Sequence, residues 1–253
     1  MIRLAAVGDL HFGDDSSGTW APHLTHLDEA ADALLLAGDL TRVGRSDEAA
    51  VLAAELLDVH IPVVAVLGNH DYHSDEAKAV VDLLDGVGVT VLDGSSTVLE
   101  LGGATVGIAG TKGFGGGFAG ASASAFGEPE MKAFIDHSVA LADGLAAALD
   151  ELDTDWRVAL LHYAPVKDTL RGERPEIFPF LGSYLLAEAI DRTPPDLVVH
   201  GHAHRGTERG LTPGGVRVRN VALPVLGAPF RVYELPVVSR TGASERPPRL
   251  RFE

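Results

Sequence analysis

The sequence predicts an α/β fold built on a parallel sheet, and three observations carry that expectation. Short apolar runs alternate with helical stretches over the first 92 residues, the pattern of right-handed strand–helix–strand units. The run over residues 61–67 is β-branched and continuously apolar, as a buried strand should be. Three such runs end in glycine followed by polar residues: Gly8-Asp9, Gly38-Asp39 and Gly68-Asn69-His70-Asp71. In open α/β sheets the carboxyl ends of the strands are where ligands bind.

Taken in order, residues 2–7 read as a strand ending in Gly8-Asp9-Leu10-His11, and a helix is expected over 23–31. Residues 33–37 form the second strand. Ser46 is a good N-cap, with Asp47 and Glu48 in the first turn, for a helix reaching about residue 58. The strand over 61–67 follows, then a helix over 74–84 that Gly86 stops, then a short strand over 89–92. Gly102-Gly103 between two strand-like runs predicts a β-hairpin over 96–109. The Gly/Ala/Ser-rich segment 111–127 has irregularly spaced phenylalanines and reads as a mobile loop near the site rather than as core. An alanine-rich helix over 129–152 leads to a strand over 157–161 ending in His162-Tyr163. A helix over 184–191 precedes a strand over 196–199 that ends in His200-Gly201-His202-Ala203-His204. Closing strands are expected over 216–221 and 230–235. Residues 1–238 are thus expected to form one domain, with a polar tail or edge strand over 239–253.

Composition narrows the function classes. The 36 acidic against 20 basic residues give a net charge of −16, which disfavours extended nucleic-acid or anionic-membrane binding but not an anionic substrate. With no cysteine, disulfides, zinc ribbons and thiol catalysis are excluded. The amino terminus turns polar too early for a signal peptide, and no apolar stretch reaches the roughly 18–20 residues of a membrane span. A cytoplasmic protein is expected.

Five strand ends carry potential metal ligands: Asp9 and His11; Asp39; Asn69 and His70; His162; His202 and His204. Each has a plain alternative. An aspartate after glycine also caps turns, Asn69 also tolerates a left-handed turn, and a lone His162 also fits a satisfied core position. Five strand ends carrying such residues together are hard to explain without a metal. The mixture of carboxylate, amide and imidazole, with no thiolate, suits manganese, iron or zinc. A bridging ligand between two cations about 3.5–4 Å apart is best a carboxylate, and Asp39 is the candidate. His200 points away from its neighbours on the strand, toward core or a supporting role, and Asn220 is placed to support the site from an adjacent strand.

The ordered set Asp9-x-His11, Gly38-Asp39, Gly68-Asn69-His70-Asp71, His162 and Gly201-His202-Ala203-His204 resembles the motifs of the calcineurin-like metallophosphoesterases over roughly residues 1–236. The resemblance implies a four-layer αββα sandwich of two mixed β-sheets flanked by helices. It also implies two transition-metal ions, one on Asp9, His11, Asp39 and His204 and the other on Asp39, Asn69, His162 and His202. His70 would be the general acid and Asp71 the residue that orients it. After Gly38-Asp39 the chain runs Leu40-Thr41-Arg42, unlike the protein-phosphatase branch and more similar to bacterial phosphodiesterases. Arg42 and His73 are the candidate substrate contacts, each with an ordinary solvated reading beside it.

The expected activity is therefore hydrolysis of a small-molecule or nucleotide phosphodiester by a metal-bridging hydroxide, with His70 protonating the leaving group. Phosphomonoester hydrolysis is the nearest rival. A non-catalytic binding module on the same fold should have lost ligands, and this chain keeps all seven.

Overall fold

The computed structural model describes residues 1–236, so the expected tail strand lies outside the described residues. In chain order the first strands are β1 (Ile2–Val7), β2 (Ala33–Ala37), β3 (Val63–Val66), β4 (Val89–Val91), β5 (Ser95–Leu101) and β6 (Ala104–Thr111). Then come β7 (Gly117–Phe118), β8 (Ala121–Ser122), β9 (Trp156–Leu161), β10 (Leu197–His200), β11 (Arg209–Leu211), β12 (Arg217–Asn220) and β13 (Arg231–Leu235). One sheet runs β13-β1-β2-β3-β4 and is parallel except for β13. The other runs β11-β12-β10-β9-β6-β5, with parallel pairing from β12 through β6 and antiparallel edges.

The alternation of side chains along a strand decides how these sheets stack. Val106, Ile108, Val158, Leu160, Leu197 and Val199 point to one face of the second sheet and join Leu4, Leu34, Leu36 and Val64 in the main core. Their neighbours Ala109, Ala159, Leu161 and Val198 point the other way. They pack under Leu145 and Leu149 of helix Pro129–Asp150 and under Leu186 and Ile190 of helix Tyr184–Arg192. On the far side, helices Ser46–Leu56 and Ala77–Asp85 contribute Leu52, Leu56, Val80 and Leu84 to the core of the first sheet. Two mixed sheets lie face to face between helical layers, as the resemblance to the metallophosphoesterases implies.

Three local expectations differ. The helix expected over 23–31 is two short ones, Ala21–Leu24 and Leu27–Ala30, because His26 leaves helical geometry at φ −126°, ψ 32°. Both pieces still bury a leucine. Ser46 is the first helical residue rather than the cap, and the Glu48 carboxylate accepts from Val43 N at 2.9 Å and Arg45 N at 3.4 Å. The segment 111–127 is only partly the loop expected. Phe118 is buried with Ala164, Leu170 and Leu181, because the glycines beside it let backbone pack on backbone: Gly116 N donates to Pro179 O and Gly117 N to Gly182 O. Only the stretch from Ala119 on is mostly exposed.

Candidate metal centre

Parallel pairing puts the carboxyl ends of β1, β2 and β3 on one edge, and the ends of β9 and β10 meet them across the sandwich. Backbone bonds continue past the strand ends and fix the loops: Asp9 N to Gly38 O at 2.9 Å, His11 N to Asp39 O at 3.0 Å, and Gly8 N to Val221 O at 2.9 Å. Among the described residues, five non-glycine residues have positive φ: Asp9 (60°), His11 (48°), Asp39 (49°), His202 (71°) and Asp75 (59°). Four of the five are candidate ligands. Left-handed backbone costs a side chain about 1–3 kcal/mol and persists where the surroundings impose it, often at functional sites. The glycines before the ligands have a steric role. A Cβ on Gly38 would overlap the His162 ring, one on Gly68 the Asp39 carboxylate, and one on Gly201 the Asp9 carboxylate.

Two ligand groups result. In Asp9, His11, Asp39 and His204, one donor atom from each residue lies within 4.8 Å of all the others, and the same holds for Asp39, His162 and His202. Asp39 belongs to both. Its Oδ1 is 3.3 Å from His162 Nε2 and its Oδ2 is 3.8 Å from His11 Nε2. Asn69 joins the second group through Oδ1, 3.1 Å from His162 Nε2. Second contacts orient the rings. His162 Nδ1 donates to Ala37 O at 2.9 Å, turning Nε2 inward, and His202 Nε2 donates to Phe180 O at 3.1 Å, leaving Nδ1 as the free lone pair. Asp9 accepts from His202 N through both oxygens and from His204 Nε2 at 2.8 Å.

The electrostatics suit cation binding. Burial lowers His11 to about 4 and His202 to about 3, and lowers His162 well below its ordinary value, so these imidazoles keep their lone pairs at neutral pH. Burial also pushes Asp9 up to about 6, against the lowering effect of His204. His11 Nε2 is buried among the group with no hydrogen-bond partner. An orphaned nitrogen facing two carboxylates, in a cluster of nitrogen and oxygen donors, fits a pair of divalent cations.

His70 stands at the margin of this cluster with 44% of its side chain exposed. Its Nδ1 donates to Arg42 O at 2.7 Å, and its Nε2 faces Asp39 Oδ2 at 3.9 Å. Asp71 is placed otherwise than expected and makes no hydrogen bond to the His70 ring. Its fully buried carboxylate accepts from Gly68 N (2.7 Å), Thr41 N (2.8 Å), Leu40 N (3.2 Å) and Thr41 Oγ1 (2.6 Å). As a corrected assignment, it clamps the β2 and β3 loops together, and the group on His70 is the Arg42 carbonyl. The reason is local: His70 and Asp71 begin a 3₁₀ turn, so their side chains diverge. The Arg42 guanidinium is on Asp15 at 2.7 Å, and His73 is exposed, its N–H donating to His70 O at 3.1 Å. Asn220 supports the site, donating to Ala203 O at 2.8 Å between two ligands. His200 is fully buried on Thr169 Oγ1 at 2.9 Å. Sequence reasoning missed Thr41, whose hydroxyl and N–H both bind Asp71, and the Phe180 carbonyl, which no side-chain pattern announces.

One comparison with known proteins gives the class, and another the fold. Residues 2–206 match the family model of the calcineurin-like phosphoesterases, and the chain belongs to that family. No curated protein matches it in sequence. Among solved structures it is similar to the phosphopantetheinyl hydrolase from Mycobacterium tuberculosis, at 20% identity and a TM-score of 0.65, covering 87% of this chain and 88% of that one. The protein TT1561 of Thermus thermophilus shares 21% identity at a TM-score of 0.57, over 92% and 98% of the two chains. A putative 5'-nucleotidase from Staphylococcus aureus shares 18% identity at a TM-score of 0.56, over 87% of this chain but 48% of its own. At these identities the likeness is one of fold. No helix among the described residues is long and apolar enough to cross a membrane.

Proposed function

We propose that the chain is a dinuclear metal-dependent phosphodiesterase acting on a small-molecule or nucleotide phosphodiester, with His70 as general acid. The observation that carries this reading is the half-exposed His70 ring, held by the Arg42 carbonyl with Nε2 beside the shared ligand Asp39. Asp9, His11, Asp39 and His204 would hold one ion, and Asp39, Asn69, His162 and His202 the other; manganese, iron or zinc suits these donors. When bound, such a pair supplies an activated water and neutralises charge on the phosphoryl oxygens.

The chain's own residues do the rest. Asp39 ties the two groups into one unit, and the Ala37 and Phe180 carbonyls keep the inward nitrogens of His162 and His202 unprotonated. The Arg42 carbonyl accepts the Nδ1 proton of His70 and so turns its Nε2 toward the ligand groups, beside Asp39. The Nε2 proton of the imidazolium passes to the departing alkoxide oxygen as the P–O bond breaks, leaving neutral imidazole. A diester with an alkyl leaving group needs this proton more than an aryl ester does.

His70→Ala is expected to keep both metals and to lose about 10²–10⁴-fold in kcat on an alkyl phosphodiester, with a smaller loss on bis-p-nitrophenyl phosphate. Equal activity of mutant and wild type on the alkyl ester would exclude the assignment. Parallel rates on bis-p-nitrophenyl phosphate and p-nitrophenyl phosphate test the diester preference against the monoesterase alternative.

A further inference from the structure

Lys112 directly follows β6, and its carbonyl accepts from His162 N at 3.2 Å and Tyr163 N at 2.9 Å, so its backbone is anchored beside a ligand. Its Nζ lies 4.8 Å from the Phe114 ring centroid, 5.2 Å from that of Tyr72 and 5.3 Å from that of Tyr163. Two of these rings border the centre. Tyr163 follows His162 and packs its ring 4.3 Å from that of His202, and Tyr72 closes the turn that begins at His70. The ammonium therefore lies among rings that belong to the turn of the proton donor and to the surroundings of the second ligand group.

What Nζ lacks is as informative. Among the described residues it makes no hydrogen bond or ion pair, and Asp93 and Asp39 attract it only at longer range, in a chain where acids outnumber bases 36 to 20. The rings stabilise the cation by about 0.5–2 kcal/mol. They leave its three donors unspent, and a partly buried ammonium with no hydrogen-bonded acceptor is costly. The rings also hold the side chain in place before any ligand arrives, so little ordering remains to be done on binding.

We propose that Lys112 is a substrate-binding residue whose ammonium takes an anionic oxygen of the phosphoester, in a cage formed by Tyr72, Phe114 and Tyr163. This rests on the phosphoesterase reading above. It assigns the substrate's anion a contact apart from the ions and from His70.

The test is a lysine footprint. The sequence has four lysines, Lys78, Lys112, Lys132 and Lys167, so three serve as internal references. Metal-loaded protein is acetylated with an N-hydroxysuccinimide ester, with and without inorganic phosphate, and the sites are quantified by mass spectrometry. Lys112 should be protected at least about fivefold by phosphate while the other three are unchanged. In parallel, Lys112→Met should weaken phosphate binding about 10–100-fold at full metal content, the loss of one hydrogen bond between charged groups, and Lys112→Arg should recover much of it. Unprotected Lys112 in the wild type overturns the inference, whether or not the variant loads metal. So does an unchanged phosphate affinity in a metal-loaded Lys112→Met. Protection of Lys112 in a protein that hydrolyses no phosphoester would uphold the anion site and overturn the hydrolase reading instead.

Discussion

Replacing Asp71 with asparagine separates the two roles open to this residue. The Asp71 carboxylate lies in a fully buried position and accepts four hydrogen bonds, two on each oxygen. An amide keeps one pair and turns its NH₂ on the other. Two donors then lose their acceptor, at about 1–3 kcal/mol each. Against this stands relief from burying a charge. Burial raises the Asp71 pKa from 3.8 to about 6, and that shift corresponds to about 3 kcal/mol. The net effect expected for Asp71→Asn at neutral pH is therefore small, between a gain of about 1 kcal/mol and a loss of about 3 kcal/mol. The sign of its pH dependence is distinctive. A carboxyl whose folded pKa is raised stabilises the fold fully below 3.8 and loses that contribution as pH rises through 6. The cost of the substitution should accordingly be about 2–3 kcal/mol larger at pH 4 than at pH 7.5. Urea unfolding of both proteins at the two pH values measures it, in metal-free protein so that bound ions do not enter. A variant that unfolds like wild type at both pH values while shifting the pH profile of kcat would refute the clamp and return Asp71 to His70.

Two other substitutions probe the loops that carry ligands. Asn220→Ala removes the donor to Ala203 O and the acceptor for Ala222 N, and should lower metal affinity about 10–100-fold with little change in kcat at saturating metal; an unchanged manganese titration would show that Asn220 does not support the centre. Gly68→Ala would drive a Cβ into the Asp39 carboxylate and should cost about 1–3 kcal/mol along with loss of ion binding, read from thermal unfolding with and without manganese.

Much of the centre is legible in the sequence because its residues are tied to strand ends. β1, β2, β9 and β10 announce themselves by apolar runs, and the polar residues just after them are the ones the fold brings together. The sequence misleads where geometry depends on one turn. Adjacent residues such as His70 and Asp71 read as partners, yet the 3₁₀ turn sends one side chain to the cleft and the other into the protein. Segment 111–127 is poor in large side chains and so reads as loop, but glycines pack by backbone contact, which hydrophobic content does not register. Lys112 belongs to no motif and is silent in the sequence. Its meaning comes from three rings, Tyr72, Phe114 and Tyr163, which only the fold places around it.

The central claim is that Asp39 joins two ligand groups into one two-ion centre. Metal content after manganese loading and removal of free metal tests it most directly, comparing wild type, His162→Ala and Asp39→Asn by elemental analysis. The account predicts two ions per chain in the wild type, one in His162→Ala, and neither held tightly in Asp39→Asn. Fewer than one ion in the wild type, or two retained in Asp39→Asn, would contradict it.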